Sequence, residues 1–231
     1  MLLNYKSPEK LTPFAAEWEF NFFQVKLENK ECVSKMITTI LEKEPEIIKK
    51  YPEVSNDGGT SLGPNSLTSK FSKFNLFTWE EDCFVEFQNF VREQHSNFLK
   101  ELNIPEEQLY VGCWANVLRH GQRITPHWHV AGPTSYLGAH MCLTDQDTST
   151  IYSNPFIPHS LFNAWYKDCA FEFKNESGNL LFFPHWMIHY TTPYTGNKER
   201  ITIAMDIVTD THYKMFFDES SKITNNYVRF N

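Results

Sequence analysis

The feature that most constrains the fold is a series of short apolar runs that begins near Leu109 and is repeatedly interrupted by turn residues. Residues 175–178 and 194–197 are candidate turns, because they are rich in residue types that favour tight turns. Several short strands at close intervals favour a sandwich or barrel over an α/β sheet, in which helices alternate with the strands. The runs are YVGCWANVL (110–118), SYLGAHMCL (135–143), AFEFKN (170–175), NLLFFPHW (179–186) and RITIAMDIV (200–208).

The first 109 residues carry helix signals instead. Apolar residues recur at helical spacing from Cys32 to Leu41, and Pro45 is expected to end or kink that helix. Thr78 and Glu81 match a capping box ahead of a second helix. We expect this second helix to lie against the outside of the sheet and brace it through one apolar face, formed by Phe84, Phe87, Val91, Phe98 and Leu102.

These patterns predict a mainly β fold with flanking helices (α+β). Partial alternation over residues 20–27 predicts one early strand, and the Gly-, Pro- and Ser-rich residues 52–66 predict a loop. We predict a single domain over residues 1–231. Residues 1–109 would form a helical and strand support region, and residues 110–210 a β-barrel core.

Composition excludes some classes of function. The net charge is −7 and no basic run occurs, which argues against binding to nucleic acid. The five cysteines are widely spread without a CxxC pair, which is typical of free thiols in a reducing compartment. No apolar stretch has the length of a signal peptide or of a membrane-spanning helix. We therefore expect a cytoplasmic protein without a membrane partner.

Three histidines are candidate metal ligands. Residues i and i+2 of a strand point to one face, so His127 and His129 can approach one point, and His189 follows the strand at 179–183 closely enough to reach it. Histidine is the commonest neutral ligand for iron, zinc or copper, and three protein ligands leave positions open for substrate and dioxygen. The alternative is a set of ordinary, half-buried histidines.

An arginine strengthens the first interpretation. Alternation in the run from Arg200 to Ile207 sends the isoleucines to one face and Arg200, Thr202 and Asp206 to the other. An arginine and a threonine side by side could hold the far carboxylate of a dicarboxylic acid, because the guanidinium fork donates two parallel hydrogen bonds. A surface arginine at the start of a strand is the alternative, and Asp206 could simply pair with Arg200.

The residues around these positions resemble a known family. Residues 116–127 read NVLRHGQRITPH, and GPT (132–134), HMCL (140–143) and GNLLFF (178–183) follow, ahead of His189 and Arg200. This pattern resembles the 2-oxoglutarate/iron(II) oxygenases, in particular the aspartyl/asparaginyl β-hydroxylase-like branch and a group of bacterial and phage oxygenases with an HxH motif. The resemblance covers about residues 110–208 and does not extend to residues 1–109.

The resemblance implies a double-stranded β-helix, a jelly-roll or cupin-like barrel, with Fe(II) held by His127 and His189. His129 stands where most such enzymes have an aspartate or glutamate, and where the β-hydroxylase branch has a glycine. It would be a third ligand or would hydrogen-bond a metal-bound water, and we assign it as a ligand.

The resemblance also implies contacts to the co-substrate 2-oxoglutarate. Arg200 would pair with its C5 carboxylate, supported by Thr202. His140 and Asn116 stand where the β-hydroxylases have further co-substrate contacts.

Three functions are compatible with these residues. The leading hypothesis is a hydroxylase-type dioxygenase that oxidises a C–H bond of a small molecule or of an amino-acid or protein side chain, coupled to conversion of 2-oxoglutarate to succinate. The second is a cupin-like, three-histidine iron dioxygenase or isomerase that does not use 2-oxoglutarate. The third is a non-catalytic metal-binding barrel.

Other residues receive weaker assignments. His185 is expected in the bend before His189, and Trp128, Trp186 and Tyr136 could line the substrate entrance or belong to the core. Three further histidines are expected to be solvated or to pack in the interior: His95, His159 and His212.

Overall fold

The fold is built from two antiparallel β-sheets with helices against one of them. The computed structural model describes residues 1–53, 63–129, 132–145, 148–156, 170–217 and 226–231. Within these residues the strands are β1 (Leu2–Lys6), β2 (Glu19–Lys26), β3 (Leu109–Leu118), β4 (Leu137–Cys142), β5 (Ser149–Ser153), β6 (Ala170–Lys174), β7 (Asn179–Pro184), β8 (His189–Thr191), β9 (Arg200–Thr209) and β10 (Val228–Arg229).

The larger sheet has the strand order β1-β2-β7-β4-β9-β3-β10, and the smaller sheet has the order β6-β5-β8. The sheets face each other, since aromatic rings from one contact rings from the other: Tyr152 and Phe183 have centroids 4.9 Å apart, and Phe22 and Phe173 5.2 Å apart. This arrangement is a double-stranded β-helix, so the predicted fold class is confirmed.

The helices are α1 (Lys30–Lys50), α2 (Leu67–Phe71), α3 (Asp82–Glu101) and α4 (Asp210–Phe217), with short 3₁₀ turns at Gly63–Asn65 and Leu76–Thr78. The expectation that Pro45 ends the first helix is wrong, because α1 continues through it to Lys50. Ile47 is buried beyond the proline, and its carbonyl accepts from the Tyr51 amide at 3.0 Å. Packing of the last turn therefore offsets the hydrogen bond that proline cannot donate.

The capping box predicted for the next helix is also wrong. Glu81 is the N-cap of α3, and its side chain makes no capping hydrogen bond. Its carboxylate is 2.8 Å from Lys43 Nζ instead. Thr78 lies in the preceding 3₁₀ turn and donates to the Asn75 carbonyl at 2.7 Å. A stronger partner for each side chain has displaced the reciprocal pair.

The long helices cover the outer face of the larger sheet, as expected. Ile201, Ile203, Met205 and Ile207 of β9 are fully buried in one cluster with Phe84, Phe87 and Phe98 of α3. Burial of each large apolar side chain contributes roughly 1.5–3 kcal/mol. Because the apolar face of β9 is taken by the helices, its other face points between the two sheets.

β2 confirms the early strand predicted at residues 20–27 and shows the same division between faces. Phe23 packs in the helix-facing cluster, and Phe22 lies in the cluster between the sheets. Strands β1 and β2 extend the larger sheet through β7, so residues 1–109 supply strands as well as helices. The division of the chain at residue 109 stays a prediction. None of the helices in the described ranges has the length and apolar character that crossing a membrane requires.

Candidate metal centre and adjoining pocket

Three imidazoles meet between the two sheets. Nitrogen atoms of His127, His129 and His189 all lie within 4.8 Å of one another. The Nε2 atoms of His129 and His189 are 3.2 Å apart, and the rings of His127 and His189 have centroids 4.3 Å apart. This cluster could hold a metal ion.

His189 begins β8, whereas His127 and His129 lie in an irregular segment rather than in a regular strand. His127 forms an isolated antiparallel bridge with His189, through N–H···O bonds of 3.1 and 2.9 Å. The His129 amide donates to the His185 carbonyl at 3.2 Å, and His129 itself lies in a bend. Pro126 cannot donate to a ladder, which favours an irregular segment over a full strand. The pairing still directs both side chains toward His189.

Backbone carbonyls fix which ring nitrogens are free. His127 Nδ1 is 2.8 Å from the Thr125 carbonyl, and His189 Nδ1 is 3.0 Å from the Met187 carbonyl. A carbonyl only accepts, so each Nδ1 carries the hydrogen and each Nε2 presents its lone pair. This is the usual arrangement of metal-ligating histidines, whose second nitrogen is held by a protein acceptor.

The surroundings also keep these rings neutral. Burial lowers the pKa of His127, and it lowers the pKa of His189 well below its ordinary value. The neighbouring His129 acts in the same direction on both. A metal ligand must be the neutral imidazole, so the donor set fits a divalent ion.

A carboxylate lies behind His129, on the side away from His189. His129 Nδ1 contacts Asp206 Oδ1, and His185 Nε2 is 3.3 Å from the same oxygen. Neither contact is aligned as a hydrogen bond, so the attraction is that of a carboxylate for two polar ring edges. Burial alone would raise the pKa of Asp206, but these two rings more than offset it and hold the pKa well below its ordinary value. The suggested pairing of Asp206 with Arg200 is wrong.

Arg200 is buried, with 1% of its surface exposed, so the alternative of a surface arginine is wrong. Its Nε donates to Thr148 Oγ1 at 2.9 Å. With the Asn175 amide oriented to satisfy its neighbours, the Asn175 oxygen accepts from Arg200 Nε at 3.1 Å and from Nη2 at 2.5 Å. Nη1 is buried without a hydrogen-bond partner. Across the described part of the chain, no carboxylate lies within ion-pair distance of this guanidinium.

A polar chain accompanies Arg200 on the same side of the sheet. Thr202 is buried, and its hydroxyl accepts from Asn116 Nδ2 at 3.3 Å. Asn116 Oδ1 in turn accepts from the hydroxyl of Thr68 in α2, at 2.8 Å. The register explains this contact, because Asn116 of β3 is paired with Thr202 of β9.

His140 lies on the neighbouring strand β4, opposite Ala204 of β9. Its Nδ1 shares a hydrogen bond of 2.8 Å with the hydroxyl of Tyr152 from the smaller sheet. Burial, and to a smaller degree the charge of Arg200, lowers the pKa of His140 to about 3. His140 is therefore a neutral donor and acceptor at physiological pH.

One pocket connects these groups. Its wall includes all seven residues that we singled out from the sequence for metal and co-substrate binding. The remaining lining residues are Thr68, Trp114, Ile124, Ala139, Thr150, Phe183, Tyr190, Thr191 and Ala204.

The residues given weaker assignments lie elsewhere. Trp128 is 56% exposed, Trp186 packs on Phe20 with centroids 5.6 Å apart, and the Tyr136 hydroxyl is 3.0 Å from His95 Nε2. His185 lies in the turn after β7, as expected. His95 and His212 are buried in the interior, whereas His159 and Cys169 lie outside the described residues.

A family model matches the part of the chain that contains this site. Residues 112–206 match a family model whose description is "Putative 2OG-Fe(II) oxygenase". This part of the chain therefore matches a 2-oxoglutarate/Fe(II) oxygenase domain. The match spans β3 to β9, so the oxygenase region holds every residue that we assigned to metal and co-substrate. None of the curated proteins matches the chain by sequence.

Solved structures share the fold of this oxygenase domain. A prolyl-4-hydroxylase from Pseudomonas putida superposes with a TM-score of 0.54 at 9% identity, over 81% of this chain and 91% of its own. The α-ketoglutarate-dependent carbocyclase SnoK of nogalamycin biosynthesis gives a TM-score of 0.53 at 10% identity, over 90% and 91%. AviO1 from Streptomyces viridochromogenes Tue57 gives 0.53 at 10% identity, over 88% and 92%.

The residues present fit Fe(II) and 2-oxoglutarate, the cofactor and co-substrate of such oxygenases. Three imidazoles supply ligands and leave coordination positions open. The buried guanidinium with an unpartnered Nη1 suits the carboxylate of a dicarboxylic acid. Sequence reasoning did not find Thr68, Thr148 or Asn175, because their polar side chains carry no motif and reach the site only through tertiary pairing.

Proposed function

We propose that His127, His129 and His189 hold Fe(II) and that Arg200 binds the C5 carboxylate of 2-oxoglutarate in an oxygenase that oxidises a C–H bond. The observation that carries this assignment is the burial of the Arg200 guanidinium without a carboxylate partner among the described residues. A buried guanidinium is costly without an anion, because desolvation of a charge costs several kcal/mol. Its Nη1 has no hydrogen-bond partner, and Arg200 lines the same pocket as the histidine cluster. A bound dicarboxylate satisfies the charge and the hydrogen-bonding capacity together.

Two sets of side chains would have separate roles, one in binding the metal and one in binding the co-substrate. The three imidazoles would hold the metal and, as three protein ligands, would leave coordination positions for the co-substrate and dioxygen. Thr202, Asn116 and His140, which line the same pocket, would orient the co-substrate by hydrogen bonding. When bound, Fe(II) would supply the oxidising chemistry of the overall reaction, in which 2-oxoglutarate and dioxygen yield succinate and carbon dioxide and the second oxygen atom enters the substrate C–H bond as a hydroxyl group.

The primary substrate is a small molecule or an amino-acid or protein side chain, in keeping with what this oxygenase family acts on. We place the reaction in the cytoplasm, since Cys32, Cys83, Cys113 and Cys142 are free and buried. Buried free thiols favour a reducing compartment.

The all-histidine donor set also favours one competing function, a cupin-like iron dioxygenase or isomerase without 2-oxoglutarate. Two measurements separate them. Anaerobic titration of 2-oxoglutarate into the Fe(II)-loaded protein should show binding that disappears without metal. Admission of oxygen should then give succinate that requires Fe(II), 2-oxoglutarate and oxygen together. A metal-loaded protein that neither binds 2-oxoglutarate nor forms succinate would exclude the proposed function.

The matched control for both measurements is His120→Ala. His120 is exposed, and its Nδ1 contacts the Thr195 carbonyl at 3.0 Å, away from the cluster. The His120→Ala protein should still bind 2-oxoglutarate and form succinate, whereas the His189→Ala protein should do neither.

A further inference from the structure

We propose that Asp206 is a positioning residue that holds His129 in the tautomer able to bind the metal. Its carboxylate also places near the metal position the negative charge that a carboxylate ligand would have supplied. This inference rests on the proposed function, because it concerns the metal held by the histidine cluster. It assigns a role to a residue outside the pocket wall.

The neighbouring strands leave space around the Asp206 carboxylate. Asp206 of β9 is paired with Gly112 of β3 on one side and with Gly138 of β4 on the other. Both neighbours in register lack side chains. A Cβ at Gly138 would lie 2.5 Å from the Phe183 ring, and one at Gly112 would lie 3.3 Å from the Tyr227 ring. The space beside Asp206 is therefore occupied by the rings of Phe183 and Tyr227.

The groups around the carboxylate are all potential donors. His129 Nδ1 and His185 Nε2 contact Oδ1, and the Tyr227 hydroxyl donates to Oδ2 at 3.3 Å. Oδ1 is fully buried, and 15% of the Asp206 side chain is exposed. A carboxylate among donors favours the hydrogen of His129 on Nδ1. Nε2 of that ring, 3.2 Å from His189 Nε2, can then turn its lone pair to a metal ion that binds between the imidazoles.

The charge at the metal position favours the same role for Asp206. Fe(II) with two histidines and one carboxylate carries one positive charge less than Fe(II) with three neutral histidines. The ring of His129 separates Asp206 from the metal position, so the missing negative charge lies one residue behind the ligand. Carboxylates behind metal-bound histidines raise ligand basicity and fix ring orientation, and their loss typically costs roughly 10- to 100-fold in metal affinity.

The decisive substitution is Asp206→Asn, which keeps the shape and removes the charge. The new amide can donate to His129 Nδ1, which would favour the hydrogen on Nε2 and block ligation. We expect Co(II) affinity, measured by competition with a chelator, to fall roughly 10- to 100-fold. Asp210→Asn is the matched control, because Asp210 pairs with Lys214 on α4 and should leave the affinity unchanged.

A second measurement reports the position of the His129 hydrogen directly. Nitrogen NMR of the Zn(II)-loaded wild-type protein should show His129 with its hydrogen on Nδ1, and the Asp206→Asn protein should show a shift toward Nε2–H. A wild-type His129 protonated on Nε2 would overturn the proposal, as would unchanged Co(II) affinity in a folded Asp206→Asn protein. Binding of two Co(II) ions would overturn it too, because His129, His185 and Asp206 would then form a second metal site.

The outcomes also separate this inference from the function on which it rests. If wild-type protein binds neither metal nor 2-oxoglutarate, the proposed function fails. If it binds both and Asp206→Asn behaves like wild type, only the positioning role fails.

Discussion

Substitution of Arg200 by methionine should separate co-substrate binding from folding. The guanidinium is buried, donates to Thr148 and Asn175, and keeps Nη1 without a partner. Arg200→Met removes these hydrogen bonds, which costs about 1–3 kcal/mol, although Thr148 and Asn175 still pair with each other at 2.7 Å. It also removes a buried charge without a counter-ion, whose burial costs several kcal/mol. Because these effects oppose each other, we expect the free energy of unfolding of the ligand-free protein to change by less than about 2 kcal/mol.

Binding of 2-oxoglutarate should respond much more strongly. Removing one partner of a buried ion pair typically costs about 3–5 kcal/mol. At about 1.4 kcal/mol per factor of ten, the lower end of that range weakens binding by more than 100-fold. The metal should still bind, since Arg200 contacts none of the three histidines among the contacts described.

Thermal unfolding of the Mn(II)-loaded protein measures both effects. At 2-oxoglutarate concentrations of about 100 times the dissociation constant, ligand binding stabilises the wild type by about 2.7 kcal/mol. For a chain of this size that corresponds to a rise in Tm of roughly 5–10 °C. At the same concentration, Arg200→Met should be stabilised by less than about 0.5 kcal/mol, a shift of roughly 1–2 °C.

Arg119→Met is the matched control. Arg119 pairs with Glu44 at 2.9 Å, and its side chain is 43% exposed and lies outside the pocket wall. This variant should keep the full shift of the wild type. An Arg200→Met protein that also keeps the full shift would refute the assignment of the guanidinium.

Three further substitutions test the barrel and the metal centre. Gly138→Ala should lower the free energy of unfolding, measured by denaturant titration, by about 1–3 kcal/mol, because the new Cβ would lie 2.5 Å from the Phe183 ring; unchanged stability would show that the ring is not packed there. Burial lowers the pKa of His95 to about 4, so between pH 6.5 and 4 the unfolded chain takes up a proton that the folded protein does not. This effect should make the wild type less stable at pH 5 than at pH 7 by about 2 kcal/mol, and His95→Gln should reduce the difference; an equal pH dependence in both proteins would contradict a neutral, buried His95. His129→Ala should lower metal affinity while His120→Ala does not, and full retention of metal and turnover would remove His129 from the ligand set.

The barrel strands were predictable because their apolar runs are long enough to show alternation. The run from Arg200 shows this best, since Ile201, Ile203 and Met205 alternate with residues of the site and the structure places the two sets on opposite faces. Strands β1 and β5 were missed because LLNYK and STIYS are short and polar. Their positions depend on pairing with β2 and β6, which a local pattern does not contain.

The part of the candidate site that was predictable is the set of three histidines, because the spacing of the HxH pair indicates a shared direction for its side chains. The HxH pair and His189 were expected to approach one point, and they do so even though residues 127–129 form no regular strand. The surroundings of the pair were not predictable. Thr148 and Asn175 reach Arg200 only when the smaller sheet folds over the larger one.

Asp206 shows the same limit more sharply. Alternation placed it correctly on the face of Arg200 and Thr202, but the sequence pointed to Arg200 as its partner. The true neighbours are His129 and His185, which come from two other segments. Strand geometry explains the error, because residues six apart on a strand are separated by roughly 20 Å.

An anaerobic crystal structure with Fe(II) and 2-oxoglutarate tests the central claim most directly. We expect one iron coordinated by Nε2 of His127, His129 and His189, with the far carboxylate of 2-oxoglutarate on Arg200. Iron bound away from His127 and His189, or a co-substrate that leaves the guanidinium without an anion, would contradict the claim.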